Sequence, residues 1–276
     1  MRTYVIPEIL ESEATGRIKE VYEDIKEVLK VPVVNFVFRA LAHYPTFLEL
    51  AWEQVRPNML SVNMEQSASR LQYPGISSVI PILPWSQTYP TYILEQIRGT
   101  VDIFRYVNPK LLLITSAWIE ALSNRPIKGS GKQIGYIEPG INPMFPRIDL
   151  LHPIEADVPL QALLFDIAKT HQAMDVASDF RALARYPAFL KETWHYLKPF
   201  VKSSNYPILE SRLKKRAVQA AHRHMPFPVI INRSQLEGIY EPKDIAGIMG
   251  LVSLFHSFLP GLILDVEFIQ RTIVNF

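Results

Sequence analysis

The stretch Phe38-Arg39-Ala40-Leu41-Ala42-His43-Tyr44-Pro45-Thr46-Phe47-Leu48-Glu49-Leu50-Ala51-Trp52 returns 142 residues later as Phe180-Arg181-Ala182-Leu183-Ala184-Arg185-Tyr186-Pro187-Ala188-Phe189-Leu190-Lys191-Glu192-Thr193-Trp194, identical at 10 of 15 positions. Pro57 and Pro199 extend the match, and upstream Ile18, Val21 and Ile25 fall opposite Leu160, Leu163 and Ile167. A fixed offset over such a span marks an internal duplication. Both copies read as helical, because apolar residues recur every three or four positions and gather on one face. Ile18, Val21, Tyr22, Ile25 and Leu29 form such a stripe, with Glu20, Glu23, Lys26, Glu27 and Lys30 on the other side. Pro45 and Pro187 suit the first turn of the helix that follows each. Strand signals are sparse, with 78–83 and 227–232 as candidate extended pieces. The expected fold is all-α: two internally duplicated helical repeats packed as a pseudo-dimer, with a pocket where they meet. The boundaries read as a repeat over 1–124, a Gly/Pro-rich linker over 125–153, and a second repeat over 154–276.

The 276 residues are 48% hydrophobic and 20% charged, with 22 prolines, a globular composition that excludes wholesale disorder and a coiled coil. Lys and Arg number 29 against 27 Asp and Glu, so no basic excess points to nucleic acid. The absence of cysteine excludes disulfides, Cys-ligated zinc, thiol nucleophiles and a peroxidatic cysteine pair. The opening MRTYVIPEILESEATGRIKEVYEDI becomes charged too soon for a secretory signal, which makes the cytoplasm the expected location. Residues 245–264 carry no charge and are long enough to span a bilayer. His256, Pro260 and the glycines favour a buried helix ended or kinked at Pro260, so no membrane partner is expected.

A duplicated chain with one active site reveals it where the copies differ. Before the shared segment stand Val33-Val34-Asn35-Phe36-Val37 in one copy and Asp175-Val176-Ala177-Ser178-Asp179 in the other, so Val37 is replaced by Asp179. An acid beside an apolar stripe is either a helix cap or chemistry, and the residues alone leave both open. Asn108 precedes Pro109, which suits the start of a helix through Leu122, with Asn108 as its cap. Arg39 and Arg181 invite an anion-binding reading, but their recurrence favours a structural role between the repeats. His222 and His224 lack the further ligands a metal needs, so no metal site is expected. GSGK at 129–132 lacks the spacing of a phosphate loop. Aromatics such as Phe36, Trp118, Phe255 and Phe258 are more often core than substrate clamp.

The chain resembles the group I haloacid dehalogenases, the DehI family, through YEDI at 22–25, PVVNFVFRALAHYP, VNPKLL, DVASDFRALARYP and FHSFLP. The resemblance implies an all-helical pseudo-dimer that hydrolyses D- and L-2-haloacids to 2-hydroxyacids by direct water attack, with inversion, no ester intermediate and no metal or organic cofactor. It implies Asp179 as the catalytic aspartate, Asn108 as the asparagine that holds the nucleophilic water, and Ser178 as the adjacent substrate-pocket serine. Phe36, Phe258 and Leu259 would stand around the substrate. It places Val33 where family members carry tryptophan and Phe255 where they carry tyrosine, departures that would alter recognition of carboxylate or halide. The implied partners are a small 2-halocarboxylate and water. A homodimer stays open, since an internal repeat can replace the contact a second chain would supply. Two rivals remain: a helical relative acting on another small carboxylate, and a non-enzymatic helical interaction protein in which Asp179 is only a cap.

Overall fold

The computed structural model describes residues 6–273; residues 1–5, part of the opening read for a leader, lie outside the described residues. Eleven α-helices are present among them and no strand. They are α1 (Gly16–Leu29), α2 (Phe36–Leu41), α3 (Pro45–Met59), α4 (Val62–Leu71), α5 (Thr91–Leu122), α6 (Val158–Thr170), α7 (Ser178–Leu183), α8 (Pro187–Val201), α9 (Asn205–His224), α10 (Arg233–Glu237) and α11 (Pro242–Thr272). The two candidate extended pieces do not form strands. Only Val229 makes an isolated bridge, to Ile127. A lone apolar run without a paired neighbour has no ladder to satisfy its backbone.

Helix boundaries recur at the offset seen in the sequence. α2 and α7 have six residues each and α3 and α8 fifteen, all displaced by 142, and both α3 and α8 begin on the expected proline. The side-chain anchors recur as well. Trp52 Nε1 donates to Asp24 Oδ2 at 2.6 Å and Arg56 pairs with the same carboxylate, while Trp194 Nε1 donates to Asp166 Oδ2 at 2.8 Å and Lys198 takes the place of Arg56. These anchors fasten α1 to α3 and α6 to α8.

The long helices α5 and α11 form the most extensive helix pair and the spine of the core. Neither behaves as its proline suggests. α5 runs unbroken through Pro109 and α11 through Pro260. A proline inside a helix removes the bond to the carbonyl four residues back, here Arg105 and His256, and a helix survives this only when packing on its other faces outweighs the loss. Both helices have that packing. Residues 107–118 of α5 and 259–269 of α11 are buried throughout. α11 is long and apolar enough to cross a membrane by length and composition, and here it lies against α5, α9 and α2. The stretch 125–153, read as linker, contains no α-helix but is held down, with Gly140 N–H donating to Glu27 O and Ile127 exchanging bonds with Val229. The GSGK amides of Ser130 and Gly131 are spent on Met225 and Pro226 carbonyls.

Trp118 of α5 is fully buried, donates to Ala51 O at 3.0 Å, and meets Phe38 and Phe47 edge-on. Trp118→Ala is expected to destabilise the fold by about 3–5 kcal/mol. Thermal denaturation should show a drop on the order of 10 °C; an unchanged Tm would contradict this place for the α5 core.

Candidate active site

Asp179 is the second residue of α7, whose cap position is Ala177 without a side-chain bond. It therefore does not serve as the helix cap that the sequence left open. Its side chain turns instead toward α5. The continuity of α5 through Pro109 likewise denies Asn108 the capping role expected of it, because a residue within a helix has no free backbone donors beside it to cap. The freed amide meets the acid: Asn108 Nδ2 donates to Asp179 Oδ1 at 2.7 Å, with both residues buried.

Among the described residues no cation pairs with Asp179. Burial is the largest influence on its carboxyl, and it outweighs the Asn108 bond and the residue's own backbone N–H. Asp265 adds to the upward push, His171 opposes it, and the carboxyl rests at about 7. Those two groups form their own pair nearby. His171 Nε2 lies 2.8 Å from Asp265 Oδ2, and Tyr206 OH donates to Asp265 Oδ1 at 2.8 Å. Burial alone would keep the His171 ring neutral, but Asp265 holds it above its ordinary value.

Asp179 and Asn108 face a small cavity of about 20 Å³, walled also by Asn35, Phe36, Val37, Leu111, Ala177, Ser178, Phe255, Phe258, Leu259 and Leu262. That is room for one water. Seven of the eight residues singled out from the sequence thus converge: Asp179, Asn108, Ser178, Phe36, Phe255, Phe258 and Leu259. Val33 does not join them. It is buried in the turn before α2, but a valine ends two bonds from its Cα and it lines none of the three cavities described here. Phe36 and Phe255 close one side as an edge-to-face pair, ring centres 5.3 Å apart. With Phe258 they also wall a second cavity of about 160 Å³, which reaches His171 and Asp175. Phe258 and His171 then border an outer cleft of about 870 Å³ between α6, α9 and α11. Phe258 borders all three.

Asn35, Val37, Leu111, Ala177 and Leu262 were not anticipated. Leu262 was legible in principle, since Phe255, Phe258, Leu259 and Leu262 follow the spacing of one helix face. Asn35 was legible as a difference between copies, opposite Ala177; its amide oxygen is buried and finds no donor among the described residues. His222 and His224 are used elsewhere, on Glu120 and Ser67, and no group of three or more His, Asp or Glu side chains able to hold a metal occurs among the described residues.

The model of the family described as halocarboxylic acid dehydrogenase DehI matches residues 32–180, more than half of the chain. The chain belongs to the DehI family. Over 274 residues it is 28% identical to a configuration-inverting 2-haloacid dehalogenase of Alcaligenes xylosoxydans xylosoxydans, covering 94% of this chain and 91% of that one. It is 27% identical to an (R)-2-haloacid dehalogenase of Pseudomonas putida over 294 residues, covering 97% and 92%. The DehI chain also superposes on the structure of a D-2-haloacid dehalogenase in complex with L-LA at a TM-score of 0.90, with 26% identity and coverage of 98% and 97%.

The raised carboxyl of Asp179 has a consequence for stability. Folding favours its protonated form, so the stability it contributes is whole below the ordinary value of 3.8 and is lost as pH rises to about 7. Asp179→Asn keeps the Asn108 bond through its amide oxygen and carries no charge to lose. Its Tm should match wild type near pH 4 and exceed it by several degrees at pH 8, with a difference of about 4 kcal/mol as the upper bound. A variant less stable than wild type at pH 8 would contradict the burial of an uncompensated carboxylate.

Proposed function

We propose that this DehI protein hydrolyses small 2-haloalkanoic acids of both configurations to 2-hydroxyacids by direct attack of an Asp179-activated water on C2, with inversion and without an ester intermediate. The observation that carries this reading is the buried Asn108–Asp179 contact facing a cavity for one water. An ionised carboxylate only accepts, so the Asn108 amide must present its NH₂ to Asp179, leaving its oxygen for the water. Water donating one hydrogen to Asp179 Oδ2 and the other to Asn108 Oδ1 keeps a lone pair free for C2. As the new C–O bond forms, the carbon–halogen bond breaks, halide departs with its electron pair, and Asp179 takes the proton. A carboxyl resting near 7 is matched to that task, because it gains a useful proton affinity and is still ionised in half or more of the molecules at neutral pH and above. Engagement of Oδ1 by Asn108 favours base over nucleophile as the role of Asp179.

The apolar wall of Phe36, Phe255, Leu259 and Leu262 offers C2 substituents no polar contact that would distinguish the two hands. Relatives named configuration-inverting 2-haloacid dehalogenase and (R)-2-haloacid dehalogenase make the handedness a point for experiment. A cavity sized for one water does not admit a haloacid, so entry requires the Phe36, Phe255 and Phe258 rings to move toward the neighbouring cavity. The Asn35 amide oxygen, which finds no donor among the described residues, lies at the cavity wall and can accept from the new hydroxyl. The proposed setting is cytoplasmic, with substrate and water as the reaction partners.

Halide release should be seen with both D- and L-2-chloropropionate. kcat/KM should rise about tenfold per pH unit below an inflection near 7 as Asp179 ionises, and then level. Asp179→Asn should lower it by roughly 10³-fold or more, and Asn108→Ala by about 10²-fold. No halide from either enantiomer across pH 6–9 would sink this substrate assignment and favour another small carboxylate.

A further inference from the structure

The functional reading brings an anionic substrate into a cavity whose one ionisable lining residue is itself an acid, Asp179. A countercharge behind the wall would favour an anion there. The two arginines of the repeated FRALA segment stand there. Arg39 of α2 and Arg181 of α7 are both buried, and both close on one carboxylate, Glu8, at 2.6 Å and 2.8 Å. Glu8 belongs to the segment before α1, which is fixed by Ile9 N–H donating to Arg39 O and by Tyr22 OH donating to Ile9 O. Burial works against ionising Glu8, but the guanidinium groups prevail and hold its carboxyl below its ordinary value. Two cations and one anion in direct contact leave a net positive charge. Two further acids face the trio: Glu11, engaged by Lys26 at 3.1 Å, attracts Arg39, and Asp175, which accepts from Val176 N–H, lies within reach of Arg181 with its carboxyl pushed up by burial.

The two arginines differ in what else they hold. Arg39 also donates to Val34 O and, across the repeats, to Ser178 Oγ at 3.3 Å, while its guanidinium lies 5.6 Å from the Phe36 ring centre. Arg181 reaches Leu151 O instead. The position related to Ser178 by the 142-residue offset is Phe36, which has no hydroxyl to offer Arg181. An arginine can only donate, so Ser178 Oγ must accept from Arg39, and its own O–H hydrogen is left to donate elsewhere. Ser178 lines the cavity.

Resting on the dehalogenase reading, we propose that Arg39 is a positioning residue for substrate binding: it turns the Ser178 hydroxyl toward the substrate carboxylate and, shared with Arg181 and Glu8, supplies the buried countercharge that admits an anion. The lone glutamate is the device that keeps this charge small enough to bury. One carboxylate bridges two guanidinium groups, so folding is not burdened with two bare cations, yet one positive charge remains one layer behind the site.

The test is steady-state kinetics with 2-chloropropionate, together with competitive inhibition by neutral 2-chloropropionamide, which has the same shape without the charge. Arg39→Met should raise KM for the acid about 10- to 100-fold, the worth of a charged hydrogen bond, with kcat within about threefold. The inhibition constant of the amide should move less than about threefold, and Arg39→Lys should recover much of the loss. Arg39→Met leaves Glu8 paired with Arg181, which protects folding but makes the cluster neutral; Glu8→Gln/Arg39→Met returns it to a single positive charge on Arg181 and should recover part of the charge-selective loss. A folded variant whose KM is unchanged, or in which acid and amide weaken alike, overturns the inference while leaving the dehalogenase reading intact. A wild-type protein that releases no halide overturns both.

Discussion

Holding a carboxylate in the protein interior on the amide of one asparagine is the constraint around which this molecule is arranged. The Asn108–Asp179 bond is short and buried, and among the described residues no cation pairs with the acid. Such a group is expensive to the fold and useful to chemistry for one and the same reason: deprived of solvent, it holds a proton more tightly than a surface aspartate. The scaffold tolerates it because α5 and α11 form a thick apolar spine, with α7 fixed against it. The cost is offset by packing at residues that take no part in the chemistry, Trp118 among them.

The site is asymmetric although the sequence that builds it repeats. Asn35, Phe36 and Val37 in one copy answer to Ala177, Ser178 and Asp179 in the other, and all six surround one cavity. Asn108 stands immediately before Pro109 in α5 as Leu259 stands immediately before Pro260 in α11, and these two also line it. At each matched place one side is polar and the other apolar. Two aspartates at the matched positions would put like charges into one small cavity, where only one could ionise. Keeping the acid in one copy and valine in the other leaves a single carboxyl facing an apolar wall.

Much of the scaffold was readable because helical periodicity and proline placement are local. The stripe from Ile18 to Leu29 became α1, and Pro45 and Pro187 opened α3 and α8. Asp179 stood out as a difference between copies. Asn108 was noticed for a local reason that proved wrong: a proline next to asparagine looks like a helix start, whereas tertiary packing carried α5 through it. The charge arrangement behind the cavity was less legible. Arg39 and Arg181 were read as structural or anion-binding, and the anion they hold is Glu8, separated from them by 31 and 173 residues in a segment without periodicity. No spacing rule connects such a trio. Val33 marks another limit, since a position in a sequence match does not say whether a shorter side chain still reaches the cavity.

The account turns on Asp179 acting through water, not through its own oxygen. A single turnover with enzyme in excess over 2-chloropropionate in ¹⁸O-labelled water tests this directly. Water attack predicts one labelled oxygen at C2 of essentially every 2-hydroxypropionate formed and none in the Asp179 carboxylate. An unlabelled C2 hydroxyl in that first turnover, with label appearing in Asp179, would mean that an ester had formed and would contradict the central claim.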